Sequence, residues 1–410
     1  MKIQNGGRKN EEGIGFMEYG FSGKMNGLQA NAIREIFKYL SDPEMISFAG
    51  GMPNRAALPA EILSELSANI FRSGDIYGIL QYGATEGYMP LRESSIAFAA
   101  RSGITGIGIE NTLIISGGQQ GIDLTCKIFL DKGDCVLVED PTYLAVLHIL
   151  KTHEAKAYGV KADEDGMDIG DLEEKIKRYK PKFIYVVPTF GNPTGKTYSL
   201  ERRKKILETA LKYNVVILED DPYSHLRFDG ESVPSIKSLD KTGSVIYNTS
   251  FSKIISPGLR CGVCIADPKI IAKMTLCKQA ADVHTSSLSQ ALSDAFFRGG
   301  YLDGHLKSIL PVYKNKKILM KDAIKKYMPE DFKSTDPKGG LFIFGEFGNG
   351  INTADYFYKA LKNKVAYVNG ADFFADGSVL NTLRLNFSNS SDEQIDVGMK
   401  KLGDIFKGNL

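Results

Sequence analysis

The chain has 410 residues, of which 51 are basic and 49 acidic, and it is 43% hydrophobic. This length predicts one large domain with a smaller one, or two of similar size, and the balanced charge argues against a nucleic-acid partner. The polar N-terminus lacks the apolar run of a signal peptide, and no stretch approaches the roughly 20 apolar residues that span a bilayer. We therefore expect a cytoplasmic protein that binds neither nucleic acid nor a membrane.

The five cysteines lie in apolar or helix-like segments, so we expect them to be reduced and buried. Cys261 and Cys264 form a C-x-x-C pair within LRCGVCIAD, which the pattern predicts to be a strand. Residues three apart on a strand face opposite sides, so the pair is not expected to share a disulfide or a metal.

From about residue 110 to 265 the chain alternates short apolar segments, turns and helix-like segments. Continuously apolar strands are typical of a parallel sheet covered on both faces. The predicted strands are TLIIS (112–116), CVLVED (135–140), FIYVVP (183–188), VVILED (215–220) and SVIYNTS (244–250). Beyond about residue 265, longer amphipathic helices such as 311–328 precede two further predicted strands, GGLFIFGEF and LRLNFS. This change predicts a second, α+β domain.

Ligands of such sheets bind at the carboxyl ends of the strands, where four turns of this chain carry unusual residues. SGGQQG (116–121) follows a strand and opens a helix, so its backbone N–H groups and Gln119 suit a phosphate, although glycines also serve purely steric turns. VVPTFGNPTGKT is not a phosphate-binding Walker A loop, because Gly191 and Gly195 enclose three residues rather than four. Asn192 in that segment either reaches a planar ligand or makes a turn with Pro193.

A third turn, in ILEDDPYSHLRFDG (217–230), places Asp220 and Asp221 at a strand end. Such a pair can bind a metal, cap a helix or pair with a buried cation. The metal interpretation lacks neighbouring ligands at suitable spacing, with His225 as the one exception, so no metal is expected.

The fourth turn, in NTSFSKIISPGLRCG (248–262), places Lys253 after an apolar strand. A buried ammonium is costly unless it has a function, and a lysine of lowered pKa is a nucleophile towards carbonyl groups. Ser250, Ser252 and Arg260 supply hydroxyls and a cation of the kind that hold a phosphate. The alternative is a solvated surface lysine.

Together these segments resemble the pyridoxal 5'-phosphate (PLP) aminotransferases of fold type I, class I, in particular the 2-aminoadipate, kynurenine and aromatic subgroup. The resemblance runs from LQANAIREIF and ISFAGGMPN through LQYGATEG, SGGQQG, PTY, GNPTG, EDDPY, SFSK and GLRCG to LRLNFS. It implies an α/β fold whose large domain has a mostly parallel seven-stranded sheet flanked by helices, plus a smaller α+β domain. The implied division is an N-terminal segment and helix joining the small domain (1–50), a large PLP-binding domain (51–295) and a small C-terminal domain (296–410).

The resemblance also implies a role for each matching residue. Lys253 would hold the cofactor covalently and shuttle a proton, while Asp220 would keep the pyridine nitrogen protonated. Tyr223 and Asn192 would bind the phenolic oxygen, and Tyr143 would stack on the ring. The implied phosphate ligands are Gly118, Gln119, Ser250, Ser252 and Arg260, with Tyr82 from the other subunit of a homodimer that shares its active sites. The implied substrate ligands are Arg384, as a bidentate partner of the α-carboxylate, with Asn192, Gly51 and Arg34.

Three functions are consistent with this resemblance. The first is an aminotransferase acting on a 2-aminoadipate, aromatic or aliphatic amino acid and a 2-oxo acid such as 2-oxoglutarate. The second is another PLP reaction on α-amino acids, which shares the same lysine. The third, a transcription regulator with an aminotransferase-like domain, is disfavoured because only about 25 residues precede the matching segment, too few for a winged helix-turn-helix. Asn31 stands at a position that is often serine in relatives, so the resemblance does not define the distal substrate pocket.

Overall fold

The computed structural model describes residues 19–25, 42–348 and 350–409. Its central feature is an eight-stranded sheet in the order β2-β9-β8-β7-β6-β3-β4-β5. The strands are β2 (Thr112–Ile115), β3 (Cys135–Asp140), β4 (Lys156–Asp163), β5 (Gly166–Met167), β6 (Phe183–Val186), β7 (Val216–Asp220), β8 (Val245–Ser250) and β9 (Gly262–Ile265). The fold class is as expected, and the sheet exceeds the predicted seven strands by the two-residue strand β5.

The middle of this sheet is parallel. β4, β3, β6, β7 and β8 pair in parallel, whereas β9 pairs antiparallel with both β8 and β2, and β5 pairs antiparallel with β4. The strands β2, β6, β8 and β9 are buried at every position, as their mainly apolar sequences predict. Because β3, β6, β7 and β8 run the same way, their carboxyl ends meet at one edge.

Helices cover this sheet and connect its strands. In chain order they are α1 (Ala60–Arg72), α2 (Ile76–Ile79), α3 (Met89–Ala99), α4 (Gly118–Phe129), α5 (Leu144–Thr152), α6 (Ile169–Tyr179), α7 (Leu200–Lys212), α8 (Ile236–Leu239), α9 (Pro268–Asp282) and α10 (Ser287–Arg298). Capping side chains begin several of them, for example Asp168 for α6 and Ser199 for α7. No helix among the described residues is both long and apolar enough to cross a membrane.

The C-terminal part of the chain forms a second sheet of four antiparallel strands, in the order β10-β11-β14-β13. These strands are β10 (Lys333–Ser334), β11 (Phe342–Glu346), β13 (Val368–Asn369) and β14 (Thr382–Asn386), and the flanking helices are α11 (Tyr301–Tyr327), α12 (Thr353–Lys362) and α13 (Asp392–Phe406). A parallel pair of two-residue strands, β1 (Ile46–Ser47) and β12 (Val365–Ala366), joins residues near the N-terminus to this part.

The five cysteines are free thiols in the structure, and all except Cys277 are buried. Cys264 lies on β9 and its thiol donates to Oδ1 of Asn248 at 3.2 Å, whereas Cys261 precedes that strand. The expected absence of a disulfide between Cys261 and Cys264 therefore agrees with the structure.

Candidate active site

The carboxyl edge of the large sheet contains a cavity of about 200 Å³. The helices and turns that follow β2, β3, β6, β7 and β8 all contribute to its lining, as expected for parallel strands that end at one edge. Most of the predicted site residues lie around it: Gly51, Gly118, Gln119, Tyr143, Asn192, Asp220, Tyr223, Ser250, Ser252, Lys253, Arg260 and Arg384. Sequence reasoning missed Ile122, Val187, Pro222 and Phe342, whose apolar side chains carry no motif.

Lys253 ends a short 3-10 turn that begins directly after β8. Its half-buried ammonium donates to the backbone oxygen of Gly51 at 2.7 Å. Burial, together with the positive charges of Arg384 and Arg260, lowers the pKa of Lys253 to about 8. An appreciable fraction of this amine is therefore neutral near physiological pH and able to attack a carbonyl carbon.

Asp220 is the last residue of β7 and is only 5% exposed. Its Oδ2 accepts a hydrogen bond from the hydroxyl of Tyr185 at 2.8 Å, and its Oδ1 accepts one from Nδ2 of Asn248 at 2.8 Å. Burial raises the pKa of Asp220 to about 7, although these two hydrogen bonds act to lower it. A cationic group in the cavity would stabilise the ionised form, so this carboxylate suits a protonated ring nitrogen.

Asp221 lies outside this cavity. Its Oδ2 accepts from the hydroxyl of Tyr247 at 2.8 Å and its Oδ1 accepts from the backbone N–H of Ser224 at 3.1 Å. The acidic pair is therefore divided between one carboxylate facing the cavity and one that supports the following turn. Among the residues that the structure describes there is no group of three or more His, Cys, Asp or Glu side chains arranged to hold a metal.

The first turn of α4 forms one wall of the cavity. Gly117 precedes this helix with a φ of 87° and no side-chain cap, and the N–H groups of Gly118 and Gln119 suit an anion. A Cβ at Gly117 would lie 2.4 Å from Nη2 of Arg260, so only glycine allows this approach. The hydroxyls of Ser250 and Ser252 hydrogen-bond each other at 2.8 Å beside this turn. This set of donors fits a phosphate group.

Arg384 lies on β14 and brings the second sheet to the cavity, with a side chain only 1% exposed. Its Nη1 donates to Oδ1 of Asn192 at 2.9 Å, and its Nη2 donates to the backbone oxygen of Ala49. The guanidinium lies between the rings of Phe342 and Phe373, at 4.3 and 5.1 Å from their centroids. Burial lowers the pKa of Arg384 to about 10, so the side chain remains charged at neutral pH.

The Nε of Arg384 is buried and has no hydrogen-bond partner among the described residues. A buried donor without an acceptor is unfavourable, so the side chain favours an anionic ligand such as a carboxylate. Tyr143 and Tyr223 lie in the same cavity, and burial raises the pKa of Tyr143 to about 12 and that of Tyr223 further. Both phenols therefore remain protonated and act as hydrogen-bond donors.

Two predicted site residues are not brought to this cavity by the described chain. Tyr82 is 82% exposed, and its ring meets that of His284 edge-on at 5.9 Å rather than lining the cavity of its own chain. Arg34 lies outside the described residues, as does Asn31.

Tyr185 and Asn248 are functional candidates that the motifs did not indicate. Both lie within strands that were recognised by their apolar character, and both donate to Asp220. Asn248 has no exposed surface. A polar side chain inside an otherwise apolar, fully buried strand was the available signal, because such a group requires a partner.

The fold and the site together define an α/β protein in which a lysine of lowered pKa lies beside donors that suit a phosphate. Residues 45–402 match the family described as aminotransferase class I and II. The chain is 39% identical to aromatic-amino-acid aminotransferase 1 of Thermococcus litoralis, over 95% of this chain and 94% of that protein. The chain therefore belongs to the class I and II aminotransferase family.

Solved structures agree with this assignment. A kynurenine aminotransferase from Pyrococcus horikoshii, in complex with PMP, has a TM-score of 0.90 at 39% identity and covers 95% of this chain and 97% of its own. An alpha-aminoadipate aminotransferase from Thermus thermophilus, complexed with N-(5'-phosphopyridoxyl)-L-leucine, has a TM-score of 0.87 at 37% identity, with 95% and 97% covered. The protein is a PLP-dependent aminotransferase.

Proposed function

We propose that this enzyme moves the α-amino group of a 2-aminoadipate, aromatic or aliphatic amino acid to a 2-oxo acid such as 2-oxoglutarate. The observation that carries the proposal is the meeting of Lys253, Asp220 and Arg384 around one cavity. The Nε of Arg384, buried without a partner among the described residues, suits the carboxylate that amino acids and 2-oxo acids share. The range of substrates is supported by relatives named for aromatic amino acids, kynurenine and alpha-aminoadipate.

Each polar group of the cavity has a proposed role towards the cofactor. PLP supplies, when bound, an electron-withdrawing ring that makes the α-proton of an attached amino acid acidic. Asp220 holds the proton on the ring nitrogen, and Tyr223 with Asn192 donates to the phenolic oxygen. Tyr143 packs on the ring face. The phosphate is held by Gly118, Gln119, Ser250, Ser252 and Arg260.

Lys253 has two proposed roles. Its lowered pKa supports a neutral amine that attaches to the cofactor. With the substrate amine bound in the cavity, the Nζ of Lys253 would be the base that holds and moves the proton of the substrate α-carbon. The backbone oxygen of Gly51, which accepts from this Nζ at 2.7 Å, orients the amine. Gly51 lines the same cavity as Arg384 and Asn192, and the three would border the substrate.

We further propose a homodimer in which Tyr82 reaches the phosphate of the partner subunit. The exposure of Tyr82 supports this role, and the neighbouring side chains of Tyr77 and Leu80 are 84% and 61% exposed. A contiguous exposed apolar surface is typical of a subunit contact. The proposed location is the cytoplasm, and the proposed domain division remains 1–50, 51–295 and 296–410.

Replacement of the lysine tests the central assignment. Lys253→Ala should lose transamination while retaining some cofactor through Asp220 and the phosphate ligands, so that its visible absorbance differs from that of the wild type. Lys161→Ala, at an exposed position of β4, is the matched control and should keep both properties. Near-normal transamination by Lys253→Ala would show that another amine holds the cofactor.

Replacement of the carboxylate tests the second assignment. Asp220→Ala should leave the cofactor attached but slow the reaction by several orders of magnitude, because the electron demand of the ring depends on its protonated nitrogen. A mild effect would contradict the assignment of Asp220, because Asp221 lies outside the cavity and is bonded to Tyr247 and Ser224. A panel of amino donors with 2-oxoglutarate, measured by the absorbance change of the bound cofactor, would then rank the substrates.

A further inference from the structure

Three polar side chains lie side by side across three neighbouring strands. In the strand register, Asp220 of β7 is opposite Asn248 of β8, and Asn248 is opposite Cys264 of β9. Directly opposed residues point to the same face of a sheet. Asn248 therefore lies between the Asp220 carboxylate, which lines the cavity, and the buried thiol of Cys264.

The hydrogen bonds of Asn248 determine which way its amide points. Its Nδ2 donates to Oδ1 of Asp220 at 2.8 Å and to the backbone oxygen of Gly118 at 3.0 Å, while its Oδ1 accepts from the Cys264 thiol at 3.2 Å. The opposite orientation would set the amide oxygen against two acceptors. Asn248 thus joins the Asp220 carboxylate to Gly118, the first residue of α4.

Gly121 makes the room that this amide occupies. A Cβ at Gly121 would lie 2.0 Å from Oδ1 of Asn248 and 2.6 Å from Sγ of Cys264. The first turn of α4 can therefore approach β8 and β9 only with glycine at this position. Gly121 on α4 is therefore required if the Asn248 amide is to lie between α4 and β8.

We propose that Asn248 is a positioning residue, which holds the Asp220 carboxylate towards the ring nitrogen of the cofactor and ties it to the helix turn that binds the phosphate. The proposal rests on the assignment of Asp220 under the proposed function. The Asn248 amide then fixes the distance between the two groups that would hold the cofactor, the Asp220 carboxylate and the first turn of α4. Gly121 leaves the space that this amide needs.

The Asn248 donor also favours the ionised form of Asp220, because a hydrogen bond to a carboxylate stabilises its charge. Tyr185 supplies the second donor, and the negative charge of Asp221 acts in the opposite direction. Loss of the Asn248 donor should therefore move the acid limb of the activity profile to higher pH. The other titratable groups that interact with Asp220 are Tyr143, Tyr223 and Cys264.

The test compares Asn248→Leu, Asp220→Asn and the double variant. Leucine has the same branching at Cγ as asparagine and removes all three hydrogen bonds of the amide. Asn248→Leu should weaken PLP binding to the cofactor-free protein by about 10- to 100-fold, the range for a hydrogen bond to a charged group. Its acid limb for kcat/KM should also move to higher pH. In the Asp220→Asn background the same change should alter PLP affinity by less than about threefold, because the partner is then no longer a carboxylate.

Gly121→Ala provides an independent variant that displaces the amide without removing it, and it should change PLP affinity in the same direction as Asn248→Leu. Its matched control is Gly304→Ala in α11, where a Cβ meets no atom within 4 Å. If Asn248→Leu does not accumulate as folded protein, Gly121→Ala carries the test alone, and unchanged PLP affinity in it would overturn the proposal.

The outcomes separate this inference from the assignment of Asp220. An unimpaired Asp220→Asn variant would contradict the proposed function itself. An impaired Asp220→Asn with unchanged PLP affinity and pH profile in Asn248→Leu would overturn the positioning role alone. Equal losses from Asn248→Leu in both backgrounds would also overturn it, because Asn248 would then act on the fold rather than through Asp220.

Discussion

Arg384→Lys isolates the shape of the guanidinium from its charge. Arg384 is buried, its two terminal nitrogens are held by Asn192 and Ala49, and its plane lies between Phe342 and Phe373. A planar, fixed guanidinium can present two parallel donors to a substrate carboxylate. Lysine keeps the positive charge but has a compact ammonium on a flexible stem, so it cannot reproduce this fork.

The expected loss follows from the contacts that lysine cannot make. A hydrogen bond to a charged group contributes about 1.5–3 kcal/mol, and lysine forfeits at least one of the two to the carboxylate. It also loses stacking between the Phe342 and Phe373 rings, which contributes about 0.5–1 kcal/mol. The sum is about 2–4 kcal/mol of transition-state binding, or about 30- to 1000-fold in kcat/KM.

Single-turnover measurement of the amino-acid half-reaction, followed by the absorbance of the bound cofactor, would give this ratio directly. A primary amine that lacks the α-carboxylate is the matched substrate, because its slow reaction should be equal in both proteins. Arg178→Lys is the matched variant: it lies on α6, exposed, with its guanidinium 5.1 Å from the ring centroid of Tyr179. If Arg384→Lys retained the wild-type kcat/KM for α-amino acids, Arg384 would not be their carboxylate ligand.

Three further variants test separate parts of the molecule. Arg34→Ala should lower kcat/KM for glutamate and 2-aminoadipate while sparing leucine and phenylalanine, since only dicarboxylic substrates use a second cation; equal losses across all donors would indicate a folding role. Burial raises the pKa of Asp220 in the cofactor-free protein to about 7, above the pKa of the same carboxyl in the unfolded chain. The free energy of unfolding therefore falls as the pH rises from the unfolded-state pKa to about 7, because the unfolded chain ionises first. Asp220→Asn avoids this loss and should gain up to about 4 kcal/mol over the wild type between about pH 4 and 8, measured by urea unfolding; a difference independent of pH would contradict this. Lys278→Met removes a fully buried ammonium that donates to Asp282 and Gln120, and should cost about 3 kcal/mol in thermal unfolding, whereas the exposed Lys273→Met on α9 should cost little.

Most strands that the sequence predicted in the large sheet are buried at every position or at all but one. β2, β6 and β8 are buried at every position, and their apolar runs indicated this without any periodicity. β4 was not predicted, because most of its residues are exposed or half-buried and its two lysines and Asp163 interrupt the pattern. The helix predicted for residues 311–328 begins ten residues earlier, at Tyr301, since Pro311 lies inside α11 rather than at its start. Proline favours a helix start in sequence, but packing can retain it in a helix interior.

The sequence predicted those site residues that lie at strand ends or in the turns after them. Lys253, Asp220 and Asn192 follow strand ends, and the parallel sheet brings such ends together. Phe342 was not predictable, because an apolar residue in a strand has the same local pattern whether it packs in the core or against a guanidinium. Asn248 was missed for a related reason: its partners Asp220 and Gly118 are distant in the chain and meet only through strand register.

The charges of the cavity explain why two of its groups have shifted pKa values in opposite senses. The cations Lys253, Arg260 and Arg384 form no ion pair with a carboxylate in the described part of the chain, and the buried Asp220 forms none with a cation. The pKa of Lys253 is lowered because the amine is buried beside two other cations, and that of Asp220 is raised because burial outweighs its hydrogen bonds. A ligand with anionic groups at its ends and a cationic ring nitrogen between them matches both regions at once. Binding such a ligand lowers the cost of every buried charge that it contacts, so cofactor affinity and folding stability should rise together in this enzyme.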